Sequence, residues 1–255
     1  MLIWESCVIP YILNNSSTWM NMRKTDIERL DKLQNLFLNT LLNVQHCPIP
    51  LMYLDLSVLS VGFRILKEKL ILYHHISCLS EEAVAKKVMK IQERLEFPSL
   101  YGEIKDFLIK HEIYDVKRFS KVEWKNLIRR KIKSDNQEFF IENARTYKKI
   151  DHLSLSVEEQ GMKSYFSDLN LRQARIKFRE RASCMKECKR HYSSDHNNIK
   201  SMFLCPCNSD KVDVLSHWKV CKLYEKFRES RDLNSDVDLI SYYQDIIAAR
   251  SSGVS

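Results

Sequence analysis

The sequence predicts a mainly α-helical protein, and three observations lead to that fold class. Only 4 of the 255 residues are Gly and 5 are Pro, too few for the tight turns of sandwiches, barrels and propellers. Apolar residues recur at helical spacing in several segments, and capping patterns precede some of them. With 44% hydrophobic and 29% charged residues, the composition is that of a globular protein. The scarce Gly also argue against GxGxxG and GxxxxGK[ST] phosphate loops.

The first half of the chain predicts five helices and one extended segment. Thr25-Asp26-Ile27-Glu28 has the form of a capping box, and the helix that it opens runs to the stop at His46-Cys47-Pro48. Residues 49–61 partly alternate in polarity, which predicts an extended segment. Ser80 and Ser120 are the predicted caps of the third and fifth helices, and a basic run at 129–133 ends the fifth. The apolar positions of these later helices are Phe63, Leu66, Leu70 and Tyr73; Val84, Val88, Ile91 and Leu95; Leu100, Ile104, Phe107 and Leu108; and Trp124, Leu127 and Ile128.

The second half predicts three helices separated by polar links. One helix is expected from about residue 136 to 149, followed by a boundary near 150. Residues 171–190 have the charge density of an exposed helix. The final helix is expected to start near Ser235, with Leu239, Tyr242, Ile246 and Ile247 as its apolar side.

The net charge indicates a class of binding partner, and the N-terminal residues indicate a cellular compartment. A net charge of +8 makes polyanions the natural class of partner. The first 13 residues carry Glu5 and Pro10 without a basic region, so no secretory signal is predicted, and the nucleus or cytoplasm is expected. Eight Cys in a reducing compartment are expected to be thiols or metal ligands. Residues 33–54 lack charge, but Asn every four residues predicts an amphipathic helix and not a membrane span.

A cysteine and histidine pattern near the C-terminus predicts a zinc site. Cys205, Cys207, His217 and Cys221 provide four ligands within 17 residues, and structural zinc prefers four such ligands in a tetrahedron. His217 and Cys221 point the same way on a helical turn, whereas Cys205 and Cys207 converge only if Pro206 lies in a turn. Two alternatives stay open at this point: the thiols are small buried hydrophobes without metal, or a rival site uses Cys184 and Cys188 with His191 or His196.

The segment before this pattern predicts a nucleic-acid contact. Cations at helical spacing form a row that can follow a phosphate backbone, and a solvated helix face is the alternative. Trp218, Tyr192 and Tyr224 are candidates for stacking on bases, or else core residues. The predicted contact residues are Arg172, Arg175, Arg179, Arg181, Lys186, Lys189 and Arg190.

Two blocks of the sequence resemble the C-terminal region of non-LTR retrotransposon reverse transcriptases. Residues 8–42 and 51–76, the latter reading LMYLDLSVLSVGFRILKEKLILYHHI, are similar to the thumb that follows the polymerase palm. Residues 170–195 and 205–250, which begin NLRQARIKFRER and CPCNSDKVDVLSHWKVC, are similar to the terminal segment with its Cys-Cys-His-Cys zinc knuckle. In the family the first two Cys are commonly two residues apart, so Asn208 stands at the second position and Cys207 is its local substitute.

This resemblance implies a helical, nucleic-acid-binding protein in three regions. These are a thumb-like region at 1–80, a helical connector at 81–150, and the basic helix, zinc knuckle and C-terminal helix at 151–255. The implied partners are RNA template and primer or target DNA. No Asp-Asp pair occurs in the chain, so the palm carboxylates of a polymerase are missing and no catalysis is expected. The alternatives are part of a longer active polymerase and a helical scaffold for protein partners without metal.

Overall fold

A computed structural model of the chain describes residues 3–45, 47–94, 99–147, 153, 155, 162–185, 205, 207, 215–229 and 231–252. These residues form helices joined by turns, and no strand occurs among them, which confirms the mainly α-helical prediction. The α-helices are α1 (Ile9–Ile12), α2 (Lys24–Leu42), α3 (Ile49–Leu56), α4 (Val61–Ser77), α5 (Val84–Gln92), α6 (Leu100–Lys110), α7 (Lys121–Ala144), α8 (Tyr165–Asp168), α9 (Leu171–Arg181), α10 (Leu215–Trp218) and α11 (Asp236–Ser251).

The chain divides into two compact units. Unit 1 comprises residues 1–37, 57–142 and 156–160, and unit 2 comprises residues 38–56, 143–155 and 161–255. Both units combine segments that are distant in sequence. The regional boundaries near residues 80 and 150 stay a prediction.

Helices α4, α6 and α7 form the main core of unit 1. Leu70, Ile104 and Ile128 are fully buried in one cluster, as the helical spacing of their neighbours predicts. Trp124 is 1% exposed, and its indole Nε1 donates to the carbonyl oxygen of Leu70 at 3.0 Å. Burial of each such large apolar side chain stabilises the unit by about 1.5–3 kcal/mol.

Helix α7 is one 24-residue helix where two helices were predicted. Its predicted capping box forms, since the amide of Ser120 donates to Glu123 at 2.8 Å and the amide of Glu123 donates to the Ser120 hydroxyl at 3.3 Å. The break predicted after the basic run is wrong, because Asn136 accepts from the amide of Ser60 and donates to the carbonyl oxygen of Val58, both at 3.0 Å. These tertiary bonds use a side chain that otherwise competes with the helical backbone. The basic run therefore lies inside the helix.

Residues 49–56 form helix α3, so the predicted extended segment is wrong here. All residues from Pro50 to Leu56 are buried, and a helix buried on every side has no polar face to mark its period. Pro50 occupies the first turn, where its missing N–H costs no hydrogen bond. Among the described residues, no single helix is long and apolar enough to cross a membrane, and α3 and α4 reach that length and composition only when counted together across their break.

Helix α2 differs from its sequence pattern at its start and on its buried face. It begins at Lys24, so Thr25 lies inside the helix and is not its cap. Gln34 and Leu38 are fully buried, whereas the apolar side chain of Leu33 is 52% exposed. Gln34 is accommodated because its amide donates to the carbonyl oxygen of Leu59 at 2.9 Å.

Helix α5 turns its predicted apolar side outward. Its N-cap is Ala83 and not Ser80. Val84 and Ile91 are exposed, and the buried apolar residue of the helix is Met89. The short helix thus contacts the unit 1 core through a side that its polarity pattern does not indicate.

Helix α9 is shorter and more buried than the exposed helix predicted for residues 171–190. It ends at Arg181, and Ser183 adopts a left-handed conformation with φ of 46° that terminates the helix. Ala174, Ile176 and Phe178 are almost completely buried. Residues from 186 to 190 lie outside the described residues.

The C-terminal helix confirms its prediction. Helix α11 begins at Asp236 after the cap Ser235, and Leu239, Tyr242 and Ile246 on its apolar side are buried. They join Trp218 and other residues in the core of unit 2. Cys205 and Cys221 of the cysteine and histidine pattern belong to the same core.

Candidate metal centre

Four side chains with metal-binding chemistry come together in unit 2. Cys205 and Cys207 are separated by Pro206, which lies outside the described residues. His217 belongs to the one-turn helix α10, and Cys221 follows the helix in a turn. The amide of Cys221 donates to the carbonyl oxygen of Trp218 at 3.4 Å, which continues the turn and returns Cys221 toward His217.

The ligand atoms of these residues lie close together. Three sulfur atoms and one imidazole nitrogen all lie within 4.8 Å of one another. The Sγ atoms of Cys205 and Cys221 are 3.6 Å apart, and the Sγ atom of Cys207 is 3.3 Å from Nε2 of His217. The cluster can therefore hold a metal ion, and it uses Cys207 as the second thiol of the pattern.

The cluster is largely closed to water. Cys205, His217 and Cys221 are 3%, 7% and 1% exposed, and Cys207 is half-buried. Trp218, which is completely buried, belongs to the same hydrophobic core as Cys205 and Cys221. Such closure is typical of structural metal sites.

Burial makes an anionic Cys205 thiolate unfavourable unless a cation is present. Burial is the main cause that raises the pKa of the Cys205 thiol to about 12, and hydrogen bonds with the thiols of Cys207 and Cys221 act in the same direction. A bound metal ion reverses this effect, because a coordinating thiol is deprotonated. Nδ1 of His217 is buried and has no hydrogen-bond partner among the described residues.

Arg228 stabilises the turn that connects His217 and Cys221. Its Nη1 donates to the carbonyl oxygen of Cys221 at 2.7 Å and to that of Trp218 at 3.4 Å. The hydroxyl of Tyr242 also donates to the carbonyl oxygen of Trp218. No sequence pattern indicates the role of Arg228, because one more Arg in a basic chain does not reveal which carbonyl groups it reaches.

The aromatic residues near the cluster are core residues and not a stacking surface. Trp218 and Tyr224 are 0% and 2% exposed. The guanidinium of Arg250 lies 4.7 Å from the centre of the Trp218 ring, and its Nε donates to the Tyr224 hydroxyl at 2.7 Å. Stacking of Trp218 or Tyr224 on bases is therefore excluded in this structure, and Tyr192 lies outside the described residues.

The rival ligand set shares no residue with the observed cluster. Cys184 is buried at the end of the turn that follows α9. Cys188, His191 and His196 lie outside the described residues. Among the described residues, the four-ligand cluster is the one group that can hold a metal ion.

Three of the four described arginines among the predicted basic residues make hydrogen bonds inside the protein. Arg172 is exposed on α9. Arg175 donates from Nε to the carbonyl oxygen of Leu41 at 2.7 Å, and Arg179 is 8% exposed. The four described arginines thus do not form one exposed row, and their contact with nucleic acid stays a prediction. The remaining predicted residues, Lys186, Lys189 and Arg190, lie outside the described residues.

Arg181 belongs to a buried polar cluster. Its Nε and Nη2 donate to the two carboxylate oxygens of Asp55 at 3.0 and 3.3 Å. The Tyr165 hydroxyl donates to the same carboxylate at 2.7 Å, and Asp55 is completely buried. This bidentate pair ties α9 to α3 within unit 2, so Arg181 has a structural partner.

Comparisons with models of protein families, with curated proteins and with solved structures gave no match for this chain.

Proposed function

We propose that the chain is a zinc-stabilised nucleic-acid-binding protein that resembles the C-terminal region of non-LTR retrotransposon reverse transcriptases. The observation that carries this proposal is the convergence of Cys205, Cys207, His217 and Cys221 within 4.8 Å. The positive net charge of +8 supports a polyanionic partner, RNA or DNA.

The spacing of the ligand atoms supports zinc as the metal. Bonds of about 2.3 Å to sulfur and about 2.0 Å to nitrogen place two sulfurs of a tetrahedron about 3.8 Å apart, and sulfur and nitrogen about 3.5 Å apart. The separations of 3.6 Å between Cys205 and Cys221 and 3.3 Å between Cys207 and His217 are close to both values. Three thiolates and one imidazole are soft or borderline ligands, which favour zinc over magnesium or calcium.

The zinc has a structural role in this proposal. Four protein ligands complete a tetrahedron and leave no position for a water molecule or a substrate, which a catalytic zinc requires. The ion joins the segment of Cys205 and Cys207 to the turn after α10. Because the buried core of unit 2 includes Cys205 and Cys221, binding of the metal stabilises the fold of that unit.

Metal content tests the zinc site. We expect about one zinc per full-length chain purified without chelator, as measured by plasma mass spectrometry. Cys221→Ser and His217→Ala are expected to reduce the zinc content strongly. Cys7→Ser is the matched control, because Cys7 is exposed and outside the cluster, and it is expected to keep the ion. Wild-type protein without zinc would contradict the proposal.

Salt-dependent binding tests the nucleic-acid function. We expect the full chain to bind a labelled single-stranded RNA or DNA of about 20 nucleotides in fluorescence anisotropy at about 50 mM salt. Contacts to phosphates predict a slope of about 0.7 logarithmic units per neutralised phosphate as the salt concentration rises. An absence of binding at low salt, with zinc bound, would contradict this half of the proposal.

A further inference from the structure

A row of cations follows one side of helix α7 in unit 1. Lys121, Lys125, Arg129 and Lys133 recur every four residues, the spacing that places side chains on the same face of a helix. Lys121, Lys125 and Arg129 are exposed, and Lys133 is half-buried. At 1.5 Å per residue, this α7 basic row is about 18 Å long.

The charges of the α7 basic row are not neutralised by the described part of the protein. None of the four cations makes an ion pair with a described residue. Other cations of unit 1 do so: Lys110 contacts Asp135 and Glu138 at 2.9 and 3.0 Å. Since like charges four residues apart disfavour a helix, the row is better explained by an external anion than by helix stability.

A pocket lies beside the first turn of α7, between that turn and helix α4. Its volume is about 560 Å³, within the range of sites for small organic groups. Leu72, His75, Cys78, Phe119 and Trp124 line it. Lys121 and Lys125 line it as well, so the pocket and the α7 basic row share two residues.

In the wall of the pocket, the indole N–H of Trp124 and one ring nitrogen of His74 already have hydrogen-bond partners. Nε1 of Trp124 donates to the carbonyl oxygen of Leu70 at 3.0 Å. Nε2 of His74 lies 2.9 Å from the carbonyl oxygen of Phe119, and the His74 ring stacks on Trp124 with centroids 5.2 Å apart. The pocket therefore suits a flat apolar ring, and its lysines suit an anion attached to that ring.

We infer that the α7 basic row and this pocket form a binding site for a single-stranded polynucleotide. The row contacts consecutive phosphates of one strand along its length of about 18 Å. The pocket receives one base, which must be unpaired to enter it. A lipid headgroup provides charge but no flat ring beside it, whereas every unit of a polynucleotide joins a flat base to a phosphate. This inference rests on the proposed nucleic-acid function and assigns it to a surface that does not include the metal cluster.

Two charge-matched variants of the full chain test the role of the row. The first carries Lys121→Gln, Lys125→Gln, Arg129→Gln and Lys133→Gln. The control carries four substitutions at other exposed cations of unit 1 that have no ion pair with a described residue, namely Arg23→Gln, Lys24→Gln, Lys32→Gln and Lys105→Gln. Both lose the same four charges, and circular dichroism checks that both are folded.

We expect a loss of binding affinity that depends on where the substituted cations lie and not on net charge alone. Binding of a labelled single strand of about 12 nucleotides is expected to weaken at least about tenfold in the row variant, with a salt slope smaller by about 2 to 3. The affinity of the control variant for the same strand is expected to fall less than about threefold. Equal losses in both variants would overturn the inference while leaving the nucleic-acid function intact, whereas a wild type that binds no strand would overturn both.

Protection of a thiol tests the pocket separately. Cys78 is exposed and lines the pocket, and Cys7 is an exposed thiol outside it. Single-stranded oligonucleotide is expected to slow alkylation of Cys78 by iodoacetamide, followed by peptide mass spectrometry, without changing the rate at Cys7. Equal protection of Cys78 by a blunt duplex or by phosphatidylserine vesicles would overturn the placement of an unpaired base.

Discussion

The buried carboxylate of Asp55 provides a stability prediction that can be worked out from its contacts. In Asp55→Asn the side chain keeps its size but loses the negative charge that faces the Arg181 guanidinium. One of the two oxygens that accept from Arg181 and Tyr165 becomes an NH2 group, which cannot accept. Breaking a buried pair by removing one partner costs about 3–5 kcal/mol. Because the Arg181 side chain is 22% exposed, we expect the lower end, about 3 kcal/mol.

Urea unfolding measures this loss. With a slope of about 2 kcal/mol per molar urea, the midpoint of unit 2 unfolding is expected to fall by about 1.5 M. Asp106→Asn, at an exposed site in unit 1, is the matched control and is expected to change stability by less than about 0.5 kcal/mol. Combining Asp55→Asn with Arg181→Met is expected to recover part of the loss, because no unpaired guanidinium remains. A midpoint for Asp55→Asn equal to that of the control would show that the buried pair of Asp55 and Arg181 does not stabilise unit 2.

Three further predictions concern other contacts. Asn136→Ala leaves the buried amide of Ser60 and the carbonyl of Val58 without partners, so it is expected to lower the free energy of unfolding in urea by about 2–4 kcal/mol. An unchanged free energy of unfolding would contradict the role of these two hydrogen bonds. The amide and hydroxyl of Ser120 hold the pKa of Glu123 below its usual value of 4.5. Ser120→Ala removes the hydroxyl, so it is expected to raise the pKa of Glu123 in an NMR titration. An unchanged pKa would argue against the capping box. Because the folded-state pKa is lowered, the contribution of Glu123 to stability is complete above about pH 4.5 and is lost as the pH falls through the folded-state pKa. Chelation of the metal is expected to lower the unfolding midpoint of wild type, and an equal effect on Cys221→Ser would show that the chelator acts elsewhere.

The sequence predicts elements well where a cap and a one-sided apolar pattern occur together. α6 and α11 follow their apolar positions, and the Ser120 capping box opens α7 as expected. α3 is missed because burial on every side removes the periodic signal. The continuation of α7 through Asn136 is missed because its partners, Ser60 and Val58, are more than 70 residues away in sequence.

The candidate site shows the same division between local and distant information. The spacing of Cys and His predicts which residues can be ligands, but their convergence depends on the turn after α10 and on the core beneath it. The row of arginines predicted on α9 depends equally on distant contacts. Arg175 reaches Leu41 and Arg181 reaches Asp55, and neither partner is recognisable from helical spacing.

X-ray absorption at the zinc edge of the purified full-length chain tests the metal centre most directly. A structural zinc site predicts about one zinc per chain with three sulfur neighbours at about 2.3 Å and one nitrogen neighbour at about 2.0 Å. Zinc surrounded by oxygen and nitrogen alone, or a chain that retains no zinc, would contradict it.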